Sequence, residues 1–211
     1  MSKDAYHHGD LRNALIEAAT QLIERDGHEG FSLREAAREV GVSANATYRH
    51  FADRSALLTA VARQGFDRLS RRMMRAMSAV ERDDPSWAIA RVKALGRAYV
   101  EFAWKHPALF GVMFSASGVP QRNAGSDVAS PYELLGRALD ELVVEGLLAA
   151  ESRAGAELKA WSAVHGFARL VLDGAAHVPT GAARTDALAS LLDFVVIGLC
   201  PEPRVTARGR R

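Results

Sequence analysis

The 211-residue chain has a single cysteine, Cys200, which excludes an internal disulfide or a cysteine-based zinc site and points to a reducing compartment. The first ten residues, MSKDAYHHGD, contain no apolar run of the kind that directs secretion, so the expected location is cytoplasmic. No stretch reaches the roughly 20 apolar residues of a membrane helix, so no membrane partner is expected. The longest candidate, about Ala187 to Cys200, is interrupted by Asp193. β-Branched residues are few: 17 Val, 4 Ile and 6 Thr stand against 38 Ala. Alanine is the strongest helix former and β-branched residues favour strands, so the composition predicts an all-α protein. No Gly-x-Ser-x-Gly elbow, phosphate loop or His-Glu-x-x-His motif is present. Cys200 has no assignable base. No catalytic residue, metal ligand or cofactor is therefore assigned, and an enzyme is the weaker reading.

Excess charge is also scarce. The chain carries 27 Lys+Arg against 25 Asp+Glu, which taken alone argues against a general nucleic-acid coat. Its distribution is uneven. Residues 1–77 hold 12 basic and 10 acidic side chains, residues 78–200 hold 11 and 14, and the tail holds 4 and 1. This suggests a head and a body that part near Ser78.

In the head, Leu11, Ala14, Leu15, Ala18, Ala19, Leu22 and Ile23 recur at helical spacing and predict a helix from Asp10 to Asp26, closed by Gly27. Ser32-Leu33-Arg34-Glu35 has the form of a capping box, opening a short helix that ends near Val40. Gly41 permits the turn Gly41-Val42-Ser43, and Ser43 caps another short helix from Ala44 to about His50. Asp53 caps a long helix beginning at Arg54. Two short helices joined by such a turn make a helix-turn-helix, although an alanine-rich bundle also joins short helices through glycine.

The residue types sharpen that choice. Val40, Val42, Thr47 and Phe51 suit the seam, which leaves Ala44, Asn45, Ala46, Tyr48 and Arg49 for the outer face. Small residues allow close approach to a groove, asparagine can pair with adenine, and arginine can reach guanine or phosphate. Tyr48, His50 and Arg54 are donors of the kind that hold phosphates. Ser32 and Arg34 open a helix whose N-terminal N–H groups favour an anion. A core tyrosine at 48 and a helix-end histidine at 50 are the plainer alternatives. His7-His8 lack a third metal ligand, and Lys3 reads as part of a solvated tail, with an arm reaching a minor groove as the alternative.

The stretches His8-Gly9-Asp10-Leu11-Arg12, Gly41-Val42-Ser43, Tyr48-Arg49-His50-Phe51, Asp53-Arg54 and Ala56-Leu57-Leu58 together resemble the DNA-binding head of the tetracycline-repressor (TetR) family. The resemblance runs from about residue 7 to residue 60 without a gap. It implies a dimeric transcription regulator, usually a repressor released by a small ligand. It places Tyr48 and His50 at phosphate-contacting positions, and Arg54 where the family usually has lysine. Ala44 and Asn45 stand where many members have lysine and glycine, which leaves the operator open.

The body reads as helices throughout. Asp84-Pro85 predicts a start for the helix carrying Val92, Leu95, Tyr99, Phe102 and His106. Pro107 opens a short helix through Phe110, Met113 and Phe114, and Ser115 to Ala129 reads as a loop. Ser130-Pro131-Tyr132-Glu133 starts a helix to about Leu148, followed by helices over Ala154–Ala176 and Thr185–Leu199. Trp87, Phe102, Phe110, Met113, Phe114, Trp161 and His165 are the candidate ligand-binding set, because adaptable apolar groups between helices often line a cavity. The plain alternative for each is a core role. Trp161-Ser162-Ala163-Val164-His165-Gly166 resembles the motif of WHG-type C-terminal domains on such regulators. Leu188, Leu191, Leu192, Val195, Val196 and Leu199 form a broad apolar face expected to pair with a second chain.

The expected architecture is an N-terminal helix-turn-helix head (1–53), a helical ligand-binding and dimerisation bundle (54–200) and a basic, disordered tail (201–211). The expected partners are palindromic double-stranded DNA, a second copy and an unidentified small-molecule effector. The alternative is a DNA-binding regulator whose body only dimerises.

Overall fold

The computed structural model describes residues 8–27, 31–115, 128–178 and 180–201, which form nine α-helices and one 3-10 turn. The all-α expectation holds. The Lys3 arm, His7, the His8 side chain, residues 116–127 of the expected loop and the tail beyond Pro201 lie outside the described residues. The helices are α1 (His8–Asp26), α2 (Leu33–Val40), α3 (Ala44–Tyr48), α4 (Arg54–Ser78), α5 (Trp87–Lys105), α6 (Pro107–Ser115), α7 (Pro131–Val144), α8 (Ala156–Leu172) and α9 (Ala182–Leu199). Two compact units emerge: Met1–Leu69 with Lys105–Ser130, and Ser70–Trp104 with Pro131–Arg211.

In the first unit, α1 buries Leu15, Ile16, Ala19, Leu22 and Ile23 and packs on α2 and α6. Ser32 and Glu35 form the expected capping box: the Glu35 N–H donates to Ser32 Oγ at 3.3 Å and the Ser32 N–H donates to Glu35 Oε2 at 2.9 Å. Gly41 ends α2 at φ 75°, a left-handed conformation that other residues adopt only with strain. Ser43 caps α3, its Oγ accepting from the Ala46 N–H at 3.2 Å. The helix stops at Tyr48 rather than His50, because the N–H groups of His50 and Phe51 both turn back to the Thr47 carbonyl at 3.0 Å. From α6, Phe110, Met113 and Phe114 pack in this unit, with Phe114 5.4 Å edge-on from Phe66. Gly65 makes that approach possible, since a Cβ there would lie 2.8 Å from Met113 Sδ.

The second unit is built from the end of α4 with α5, α7, α8 and α9, and α8 packs against both α7 and α9. Helix α5 begins at Trp87, three residues after the expected cap. Asp84 Oδ1 instead accepts from the Ser86 N–H and hydroxyl, both at 2.7 Å, and closes a separate turn. Pro131 opens α7 at its first position as expected, but the helix ends at Val144. The N–H groups of Leu147 and Leu148 fold back to the Leu142 carbonyl at 2.9 and 3.0 Å. Helix α8 is shorter than expected at both ends, and α9 begins three residues earlier.

The apolar face expected for pairing is largely used within the chain. Leu188, Leu192, Val195, Val196 and Leu199 are buried, while Phe194 and Ile197 remain 71% and 68% exposed. Helix α9 is apolar nearly all round, so spacing alone does not tell its inner face from its outer one.

Candidate nucleic-acid interface and effector cavity

All nine residues expected to meet DNA lie in the first unit. Local capping chemistry sets their arrangement. With Ser43 fixing the start of α3, Thr47 points inward and is fully buried. Asn45, Tyr48 and Arg49 are exposed, and Ala44, Ala46 and His50 are partly so. Arg34 is exposed on the first turn of α2. Ser32 beside it is engaged in the capping box, where its hydroxyl also reaches Glu35 Oε2 at 2.8 Å. Arg54 at the head of α4 is exposed, yet its Nε–H donates to the Phe31 carbonyl at 3.0 Å and its guanidinium lies 5.9 Å from the Phe31 ring centre. Arg12 is similarly placed, 5.2 Å over the ring of Phe51. In sequence, an arginine one helix away from an aromatic gives no local signal of stacking.

The second unit holds a partly open apolar cavity of about 40 Å³. Met73 comes to it from α4, Gly96 and Tyr99 from α5, Tyr132 from α7, Trp161 from α8 and Leu192 from α9. Tyr99 borders it, is 3% exposed and carries a hydrogen-bonded hydroxyl. Its hydroxyl accepts from Trp161 Nε1–H at 3.1 Å and lies 2.8 Å from His165 Nδ1. Trp161 can only donate, so with a neutral imidazole accepting at Nδ1 the phenol donates to His165. Burial pushes the Tyr99 hydroxyl well above the ordinary tyrosine range. Burial, then the Arg169 cation, pushes His165 below its ordinary value. Both groups are thus held neutral.

The seven candidate ligand residues are divided between the two units. Trp161 lines the cavity and His165 bonds to its wall. Phe102 is buried on α5, and Trp87 lies beneath Arg82 and Arg91 at 4.7 and 5.6 Å. Phe110, Met113 and Phe114 belong to the first unit. Tyr99, Tyr132 and Gly96 were not singled out as ligand groups from sequence, although Tyr99 stood in the apolar stripe of α5. Among the described residues, no His, Cys, Asp and Glu cluster is placed to hold a metal, and no helix is long and apolar enough to cross a membrane.

Comparison with known proteins adds to this geometry. A family model described as "Bacterial regulatory proteins, tetR family" matches residues 15–61, and one described as "Tetracyclin repressor-like, C-terminal domain" matches residues 92–195. No curated protein matches the chain. Among solved structures, a protein of unknown function from Rhodococcus sp. RHA1 is 32% identical. The match covers 94% of this chain and 100% of that one, with a TM-score of 0.74. A TetR-family transcriptional regulator from Pectobacterium atrosepticum is similar at 22% identity, covering 93% and 97%, with a TM-score of 0.66. RolR in complex with resorcinol is similar at 18% identity, covering 93% and 95%, with a TM-score of 0.61.

Proposed function

The chain belongs to the TetR family of transcription regulators, and on that premise we propose that it is a homodimeric, sequence-specific DNA-binding repressor released by a small, largely apolar ligand. The observation that carries the reading is the capped α2–turn–α3 unit, with Thr47 buried, Asn45 and Tyr48 exposed on α3, and Arg49 exposed at its C-cap. Tyr48, Arg49, His50 and Arg54 hold the phosphate backbone, and Asn45 reads a base edge between Ala44 and Ala46. Ser32 and Arg34 set the start of α2 against the backbone. Phe194 and Ile197 on α9, with the half-exposed Leu170 on α8, supply the surface on which two copies meet. The ligand acts through α4, the helix that begins at Arg54 and carries Met73 to the cavity. It weakens DNA binding only as far as it prefers the unbound arrangement.

Selecting bound fragments from genomic DNA tests this directly. The expected result is a palindrome with half-site centres about 34–36 Å apart, or a multiple of that. Enrichment of sites with no two-fold symmetry refutes the dimeric reading. The cavity of about 40 Å³ favours a second reading, in which the body only dimerises. If no compound in a broad apolar panel shifts the thermal midpoint, that second reading replaces ligand release.

A further inference from the structure

We propose that the cavity of the second unit takes an uncharged ring compound with one hydrogen-bonding group, its ring among Tyr99, Tyr132 and Trp161 and its polar group on the Tyr99 hydroxyl. This rests on the reading of the chain as a ligand-responsive regulator.

Three aromatic side chains from three different helices border one void: Tyr99 from α5, Tyr132 from α7 and Trp161 from α8. The Tyr132 and Trp161 rings are already in tilted contact at 5.5 Å between centres. Such faces suit a flat ring, which adds an offset or edge-on contact to simple burial. Gly96 sets the width of the void. A Cβ at that position would collide with the Leu192 side chain, which borders the same space. A glycine inside a helix costs about 1 kcal/mol relative to alanine, and here it keeps the α5 wall flat.

The polar chemistry selects a neutral ligand. Among the described residues of the lining, Lys93 alone is charged, and it is paired with Asp193 at 2.5 Å. The other polar side chains of the lining are the hydrogen-bonded Tyr99 and Trp161, with His165 behind Tyr99, and the uncharged phenol of Tyr132. A carboxylate placed here loses its water and gains no free cation, a large penalty. A hydroxyl loses less and donates to the Tyr99 oxygen, which keeps its own proton on His165.

Size sets the last condition. An apolar cavity of roughly 150 Å³ holds benzene, and this one measures about 40 Å³. A ring therefore enters by displacing a side chain. Met73, an unbranched thioether, is the most adaptable group in the lining, and it sits on α4. Occupancy is thereby registered on the helix that begins at Arg54.

Phenol, toluene and benzoate have similar rings and differ in hydrogen bonding and charge. Titrating each into the full-length chain, by calorimetry and by thermal shift, should rank them phenol, then toluene, then benzoate. Tyr99→Phe should weaken phenol about tenfold and leave toluene unchanged. Gly96→Ala, which drives Leu192 toward the void, should weaken both. Benzoate binding as tightly as phenol, or no ring binding at all, overturns the proposal on the wild-type chain alone, whatever the variants do. Equal loss of phenol and toluene in a folded Tyr99→Phe chain overturns the placement of the polar group. If the rings bind in the expected order without releasing operator DNA, the cavity assignment stands and release by these ligands fails. If DNA is released by an anionic or long-chain compound while the rings do not bind, regulation stands and the ring assignment falls.

Discussion

Replacing Phe194 by alanine tests the surface proposed to join two copies. Phe194 is 71% exposed within one chain. Burying a whole side chain of this kind is worth about 1.5–3 kcal/mol, so its exposed part contributes about 1–2 kcal/mol per copy. A two-fold axis counts it twice, giving about 2–4 kcal/mol. At 1.4 kcal/mol per decade, Phe194→Ala should raise the dimer dissociation constant roughly 30- to 700-fold. Ile197→Ala, at a position 68% exposed, should act in the same direction. Sedimentation equilibrium over a concentration series reads the constant directly. Leu188→Ala is the contrasting variant, because Leu188 is 1% exposed and packs within its own chain. It should lower the thermal midpoint, with an expected cost of about 2–5 kcal/mol of folding stability, and change the dimer constant much less. A constant unchanged by both outer substitutions refutes the assignment. So does a larger effect from Leu188→Ala than from Phe194→Ala in folded protein.

Arg54→Ala should weaken binding to all DNA sequences about equally and lower the log–log salt slope by roughly one. It should also lower the thermal midpoint, because Arg54 Nε no longer holds the Phe31 carbonyl; Arg54→Lys should restore the slope but not the midpoint. Asn45→Ala should cost about 1–3 kcal/mol at particular base pairs, read by selection from random DNA, and unchanged base preference removes it as a reader. Stability should fall as pH drops below the ordinary histidine value of 6.5, because burial, then Arg169, makes folded His165 harder to protonate than the unfolded chain. That contribution is complete above 6.5 and is lost as pH falls toward the folded value. His165→Gln should flatten this part of a pH series of thermal midpoints, and an unchanged slope counts against the neutral Tyr99–His165 pair.

Helix starts in the head were legible because capping is local. Ser32 with Glu35, and Ser43 with the Ala46 N–H, need only residues within one turn. The same locality misled at Asp84, where the cap chemistry is satisfied by a turn to Ser86 before any helix begins. The inner face of α9 was illegible for another reason. With apolar residues nearly all round, only the packing against neighbouring helices, α8 and α5 among them, decides that Leu188 is buried while Phe194 is exposed. The cavity lining posed the hardest case. Tyr99, Tyr132 and Trp161 meet only after three helices are aligned, so no spacing in the sequence joins them.

Net charge was the least informative quantity, and the head explains why. Arg54 lies over Phe31 with one bond to its carbonyl, and Arg12 lies over Phe51. A guanidinium held against a ring retains its charge and loses less side-chain freedom when it meets phosphate. Affinity for a backbone therefore depends on how many cations stand at fixed positions, and those positions double in a dimer. A neighbouring Glu or Asp elsewhere in the chain cancels such a cation in the sum without cancelling it at the surface. The 27 basic and 25 acidic residues thus conceal a small, positioned set of cations. For a major-groove reader, rigidity of that set, rather than its excess over the acids, is the relevant measure.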